Sequence, residues 1–592
     1  MKLGKPDVEE FSDIRYSLWI KDKVLLREKE EDTYRFDTLT GKITASAMFR
    51  VEMPGIRKNI MSLVSSEGKE AIVIDAEGMS VFAYAGKKRE KVCAFQPHTW
   101  FCVCVSLDTR RHAYQLFIDG VKYLEDASFY EEAEDIASYR YASGLGILEE
   151  MLVMVYRNPI QSVSEAAAGK RIYDAGSMGV EADGVTDVTG KLQGLIDRCA
   201  AKGGGVVYLR GGVYRSGMLV LKSGTELYLE TDATLKGSLD IRRYCPLNHP
   251  NWNMAHYGPQ MALIYGENLD GPIIEGGGTI DGSGAFAGDY GSESTRPSAI
   301  LLVGCHHVRI RDVYIKDSGM WTMPMVNCDD LYLRDIRLFS CWFPNRDGID
   351  FCDSHDVLLE NCSFISDDDT VCFKSGDERG CDNILVRHMM LTSIMANAVK
   401  FGTGSYGKFT DCVVRDCVIK DTRLGAICVE SVDGARIAGL TFAHIEIQTA
   451  GAAFFVVLGD RGSIPPSGQR RVGSIDGIRF HDIAVSQITQ PYGCYISGLE
   501  KDGRVYRIGH ITFDGVRASY PGGVHTRPSM PPEYGTQYPE VDMFRELPAA
   551  CYFIRHADKV TFRNCRTEVV REDARDRTVA VDATLDYPSG TE

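Results

Sequence analysis

Two acidic stretches of the sequence could do chemistry together. One is Pro344-Asn345-Arg346-Asp347-Gly348-Ile349-Asp350; the other is Ser366-Asp367-Asp368-Asp369-Thr370-Val371-Cys372-Phe373-Lys374-Ser375-Gly376. They stand about one unit of a repeat apart. If the units stack as neighbouring parallel strands, at about 4.8 Å, Asp347 faces the Asp368–Asp369 pair. Carboxylates packed in this way repel, which raises the pKa of at least one and separates a proton donor from a proton acceptor. Cleavage of a glycosidic bond needs such a set: a carboxylic acid protonates the leaving oxygen and a carboxylate activates water. Aspartates at corners can equally be turn residues or hold a cation, and spacing alone leaves those readings open.

The repeat that must position these groups is visible in His307-Val308-Arg309-Ile310-Arg311-Asp312-Val313-Tyr314-Ile315 and Asp330-Leu331-Tyr332-Leu333-Arg334-Asp335-Ile336-Arg337-Leu338. It recurs from Asp356, Asn383, Asp411 and Gly439, at intervals of roughly 23 to 28 residues, in the range of solenoids. Each unit alternates apolar and polar residues, turns at Asp or Asn, and alternates again. Stacked, such units bury one continuous apolar column. The Leu ladder of leucine-rich repeats is missing, so the pattern predicts a right-handed parallel β-helix. Later units (Gly477–Val485, His510–Ala518, Lys559–Thr567) are spaced more widely, as insertions would make them.

Ahead of the repeat, residues 1–160 read as short strands: Ile43–Val51, Ala71–Ile74, Val81–Tyr84, Phe101–Val105 and Tyr114–Ile118, the last followed by Asp119-Gly120. Strands at this density without helical periodicity predict a β-sandwich. The segment from Trp100 to the Phe117-Ile118-Asp119-Gly120 hairpin resembles concanavalin-like, laminin-G-type sandwiches. Such a module is expected to pack on the catalytic part and shape it more than to bind glycan. Residues 161–592 form the second domain, opening with a helix over Asp187–Cys199 and a strand through Gly203–Leu209.

The 592 residues carry a formal charge of −16, with 44% hydrophobic residues. Large cores are possible, and a nucleic-acid partner is not expected. No apolar run reaches the roughly 18 residues of a membrane span. Met1–Glu10 lacks a signal-peptide pattern, so a cytoplasmic location is expected. The 18 cysteines show no paired metal spacing. Most, including Cys352, Cys362, Cys412 and Cys417, sit in strand-like apolar runs and read as buried reduced thiols; Cys102 and Cys104 occupy alternate strand positions.

The stretch from Asp317-Ser318-Gly319-Met320-Trp321 through Gly376 resembles glycoside hydrolase family 28, the polygalacturonase and rhamnogalacturonan hydrolase family. The family's Asn-Thr-Asp-Gly-Ile-Asp is matched by Asn345–Asp350 with Arg346 for Thr. Its Asp-Asp-x4-Lys-Ser-Gly is matched from Asp368 to Gly376, leaving Asp367 as an extra acid. Gly179–Asp187, Gly276–Gly282, Tyr538–Phe544 and Arg555-His556-Ala557 extend the likeness across about 170–575.

The resemblance implies an inverting hydrolase with Asp368 as general acid, Asp347 and Asp369 holding and deprotonating the water, and Asn345 as polar support. It implies neither cofactor nor metal. Two features depart from it. Ala396-Asn397-Ala398 replaces the family's Gly-His-Gly, and Gly425–Ser431 replaces its Arg-Ile-Lys, with Glu430 where cations should grip a galacturonate carboxylate. A neutral sugar bound by Glu430 and Asn397 is therefore expected, released by exo action on short oligosaccharides of plant or host origin. Lys374, Lys400, Arg346 and Arg423 are the cations that could supply a relocated clamp. A β-helix lyase or epimerase, with the aspartates holding Ca²⁺, and a non-catalytic glycan-binding protein remain the alternatives.

Overall fold

A computed structural model describes residues 33–588 except 53–54, 142–147, 159, 248–260, 285–295, 342, 466 and 534–535, together with the short strands Val24–Leu25 and Lys29–Glu30. Met1–Glu10, read above for a leader, lies outside the described residues.

The chain parts into two compact units between Ile172 and Tyr173. In the first, alternation of buried and exposed positions builds two antiparallel sheets. One, of six strands, is centred on Lys42–Val51, Trp100–Asp108 and Ala113–Ile118; the other, of seven, on Lys58–Val64, Glu70–Glu77 and Ser80–Ala85. Ile43, Phe49, Leu63, Ile74, Val103 and Leu116 meet in their shared core. The predicted hairpin is present: Asp119 and Gly120 take φ of 51° and 83°, and Ile118 pairs with Val121, as a two-residue turn with both φ positive requires. Past residue 160 the chain is still tied to this unit. The Gln161 amide accepts from Lys42 N at 2.6 Å and donates to Lys42 O at 2.9 Å, and Ser162 then caps the helix Val163–Ala167.

The second unit is a right-handed parallel β-helix, whose strands form one 31-stranded sheet. Its first helix, Thr189–Ala201, buries Leu192, Leu195, Ile196 and Cys199. The long repeats occupy His306–Lys316, Asp329–Ser340, His355–Ser366, Cys381–Ser393 and Lys408–Ile419, each in register with the next. The polar residue in the middle of each is the corner: Asp312, Asp335, Asn361, His388 and Asp416 all have φ between 51° and 57°. Asn, Asp and His tolerate this left-handed geometry better than apolar residues do. Corners also bind one another, as where Asn361 Nδ2 donates to Asp335 Oδ1.

A second set of strands, Met323–Val326, Ile349–Cys352, Val371–Lys374, Val399–Phe401 and Thr422–Ser431, carries the site. Inward, Phe351, Phe373 and Phe401 stack at centroid distances of 5.7 and 4.0 Å; outward, Asp350, Cys372, Lys400 and Cys428 form a parallel column. All 18 cysteines are free, and those within the β-helix mostly fill its core. No helix among the described residues is long and apolar enough to cross a membrane.

Candidate active site

The turns entering this second set of strands stack by backbone hydrogen bonds. Thr322 N donates to Asp347 O at 2.8 Å, Gly348 N to Asp369 O at 2.9 Å, Thr370 N to Asn397 O at 2.9 Å, and Ala398 N to Gly425 O at 3.0 Å. Gly348 is needed here, because a Cβ would lie 2.4 Å from Thr370 O. This ladder brings Asp347 of one coil to Asp368 and Asp369 of the next, with one oxygen of each carboxylate within 4.8 Å of the others.

Asp347 and Asp369 are buried, whereas Asp368 is partly exposed. The Asp368 carbonyl is pinned by two hydroxyls, Ser366 Oγ and Ser393 Oγ, each donating at 2.8 Å. Its side chain accepts from Asp369 N at 2.9 Å. Burial, and then the charge of Asp369, raise the Asp368 pKa, against the pull of Lys400. Asp347 is held well above the carboxylate range by burial and by Asp350 and Asp368.

Asp369 is the most fully engaged of the three. Its Oδ1 accepts from Asn397 Nδ2 at 2.9 Å and Asn397 N at 3.2 Å, and its Oδ2 lies 3.2 Å from Lys400 Nζ. Asn397, expected at the substrate, is 0% exposed and supports Asp369 from beneath. Its own Oδ1 accepts from Gly425 N at 2.8 Å and Cys428 Sγ at 3.2 Å.

Asn345 lies at the margin with φ of 62°, its Oδ1 accepting from Arg296 Nη2 at 2.8 Å. Of the possible cationic clamps, Arg346 is buried and donates to Cys341 O and Gly284 O, which makes it a tie between loops. Lys374 Nζ sits 3.9 Å from Asp350 and 4.8 Å from the centre of the Trp321 ring. Lys400 bridges Asp369 and Tyr538 Oη, each at 3.2 Å. Arg423 is exposed.

Glu430 is buried and its pKa is pushed up to about 8 by burial, opposed by Lys400 and reinforced by Glu540. Three residues around the aspartates were not singled out from the sequence. Asp350 is 0% exposed and raised to about 7, chiefly by burial. Glu540 is likewise raised to about 7, and Tyr538 reaches Lys400 from the same C-terminal segment. Asp350 was within the matched motif, and Tyr538 and Glu540 were within the C-terminal segment that extended the likeness, but nothing in that segment pointed to a site formed far earlier in the chain.

Six carboxyl groups, Asp347, Asp350, Asp368, Asp369, Glu430 and Glu540, thus share two buried lysines, Lys374 and Lys400. They cannot all be ionised together in so dry a place, so the cluster stores protons near neutral pH. Oxygens of Asp347, Asp368 and Asp369, or of Asp347 and Asp350 with Cys372 Sγ, lie close enough together to hold a cation. Lys400 and Lys374 already place positive charge beside Asp369 and Asp350.

This geometry, a partly exposed carboxyl beside two buried ones on a parallel β-helix, is the kind that glycosidic-bond hydrolysis uses. Comparisons with known proteins make it specific. The model of the family described as "Glycosyl hydrolases family 28" matches residues 212–455. A probable polygalacturonase of Vitis vinifera is 25% identical over 365 residues, 58% of this chain and 73% of the relative. An exopolygalacturonase of Cochliobolus carbonum is 26% identical over 231 residues, 37% of this chain and 47% of the relative.

Among solved structures, a hyperthermoactive exopolygalacturonase from Thermotoga maritima aligns with a TM-score of 0.53 at 18% identity, covering 69% of this chain and 95% of the other. A family 28 exopolygalacturonase from Yersinia enterocolitica gives 0.50 at 15% identity, covering 85% and 86%. These two likenesses bear on the fold alone. The chain is a glycoside hydrolase, and residues 212–455 of its β-helical unit are similar to the family 28 model.

Proposed function

We propose that this enzyme is an inverting glycoside hydrolase that removes a neutral sugar from the end of pectin-type or host-derived oligosaccharides in the cytoplasm. The observation that carries the catalytic reading is exposure: Asp368 alone of the three aspartates is partly open to solvent, beside its buried neighbours Asp347 and Asp369. Asp368 donates its proton to the glycosidic oxygen as the anomeric carbon–oxygen bond breaks. A water held by Asp347 and Asp369 attacks the opposite face of that carbon and loses its proton to the pair. Direct displacement by water inverts the anomeric configuration. Asn397 and Lys400 fix Asp369, and Asn345 gives polar support at the margin.

Pectin-type substrates are supported by the polygalacturonase relatives, and exo action by the one named an exopolygalacturonase. A neutral residue next to the scissile bond is supported by the state of the cations: Lys400 and Lys374 are engaged with carboxylates, Arg346 ties loops, and Glu430, which burial favours in its protonated form, brings hydroxyl-binding capacity in place of a cation. The free thiols support a reducing compartment, since oxidising ones pair cysteines.

The test is proton NMR of the first-formed product, on a panel of neutral and acidic oligosaccharides. Release of a neutral monosaccharide of inverted configuration is expected. A product retaining the substrate's configuration overturns the mechanism, and rapid hydrolysis of oligogalacturonides with no activity on neutral glycosides overturns the substrate assignment.

A further inference from the structure

Hydrolysis uses one side of Lys400; the other side faces carboxyl groups that no step above employs. Glu430, on the strand Thr422–Ser431, is 1% exposed, and neither of its oxygens has a hydrogen-bond partner. Glu540 arrives from the C-terminal segment, and its buried Oε2 is likewise unpartnered. Both act on Lys400, together with Asp369 and Tyr538. Glu540 also feels Asp368, the proton donor, directly.

Buried polar oxygens without partners cost about 1–3 kcal/mol each, so a group of three beside a catalytic centre indicates a ligand that satisfies them. The surroundings specify its chemistry. Gly402 carries no side chain and φ is 106°; a Cβ there would meet Glu430 O at 2.3 Å and Glu430 Cβ at 3.1 Å, so the backbone approach to Glu430 depends on glycine. Tyr538 has its hydroxyl fixed by Lys400 Nζ at 3.2 Å and Thr403 Oγ1 at 2.9 Å, while 48% of the residue stays exposed. An exposed ring offers apolar surface to the C–H face of a pyranose, and protonated carboxyls each give one donor and one acceptor to its hydroxyls. A carboxylate ligand would find the cations around this ring already engaged: Lys400 with Asp369, Lys374 with Asp350, and Arg461, which lies over Tyr538, with Asp433.

We infer that Glu540, with Glu430 and Tyr538, forms the subsite that recognises the hydroxyls of a neutral pyranose beside Asp368, making Glu540 a specificity-determining residue delivered by the C-terminal segment. This deepens the neutral-sugar reading above and rests on it.

The experiment is calorimetric titration of the full-length Asp368→Asn chain with D-galactose, L-rhamnose and D-galacturonate near pH 6. One of the two neutral sugars binds at least tenfold more tightly than galacturonate. Glu540→Ala loses about tenfold of that affinity, the worth of a hydrogen bond, while the isosteric Glu540→Gln stays within about threefold because an amide still donates and accepts. Unchanged affinity in Glu540→Ala, tighter binding of galacturonate, or binding of neither neutral sugar overturns the inference. Binding requires no turnover, so a wrong assignment of Asp368 shows itself only in the leaving-group kinetics described below.

Discussion

Asn397 Nδ2 donates to Asp369 Oδ1 across 2.9 Å, from a side chain wholly closed to solvent. Because Asn397 Oδ1 is itself held by Gly425 N at 2.8 Å, the amide cannot flip without losing both bonds. Asn397 is therefore a positioning residue for Asp369. Asn397→Ala is expected to lower kcat about 10- to 100-fold with little change in KM, measured by steady-state kinetics. Asn397→Asp, which adds a like charge beside Asp369, is expected to shift the pH profile as well. A rise in KM at constant kcat would place Asn397 at the substrate instead.

Asp368→Asn removes the proton donor. On a substrate with a poor leaving group, turnover should fall by about 10²–10⁴-fold. A nitrophenolate leaves with little protonation, so the loss on an aryl glycoside should be far smaller. Asp347→Asn and Asp369→Asn should impair both substrates alike, since water activation is needed in either case. Equal impairment of both substrates by Asp368→Asn would mean that the roles are misassigned.

Burial lifts Glu430 from an ordinary value of 4.5 to about 8. The folded chain therefore holds this proton over a range where the unfolded chain has released it. Stability from this group falls as pH rises from about 4.5 towards 8. Glu430→Gln cannot ionise, so its melting temperature should decline less than that of wild type between pH 5 and 9. Parallel melting curves across that range would show that Glu430 is ionised in the fold.

Gly402→Ala should be destabilising by about 1–3 kcal/mol, because a side chain is forced into a positive-φ backbone with no room for it. Its Cβ would contact Glu430 O at 2.3 Å in a backbone of φ 106°. Denaturant titration reads the loss. If only the loop relaxes, stability will be nearly unchanged and the close approach of the two coils will prove dispensable.

The repeat, the corners and the acidic motifs were legible in the sequence because they are local or periodic. Alternation of apolar residues specifies which face of a strand is buried, and an Asp or Asn at each corner answers a left-handed φ that most other residues resist. Asp335, Asn361 and Asp416 could thus be read as corners, and Asp347, Asp368 and Asp369 as one cluster, from spacing of about one coil.

What the tertiary structure alone decided is who faces whom. Asn397, read as a sugar ligand, proved to support Asp369, because coil stacking placed it under the turn and not over the cleft. Arg346 and Lys400 are identical in sequence terms as free cations, yet one ties Cys341 to Gly284 and the other pairs with Asp369. Tyr538 and Glu540 belong to the site only because the chain returns to Lys400 more than a hundred residues later. Desolvation and Coulomb coupling depend on distance in space, and neither is encoded by distance along the chain.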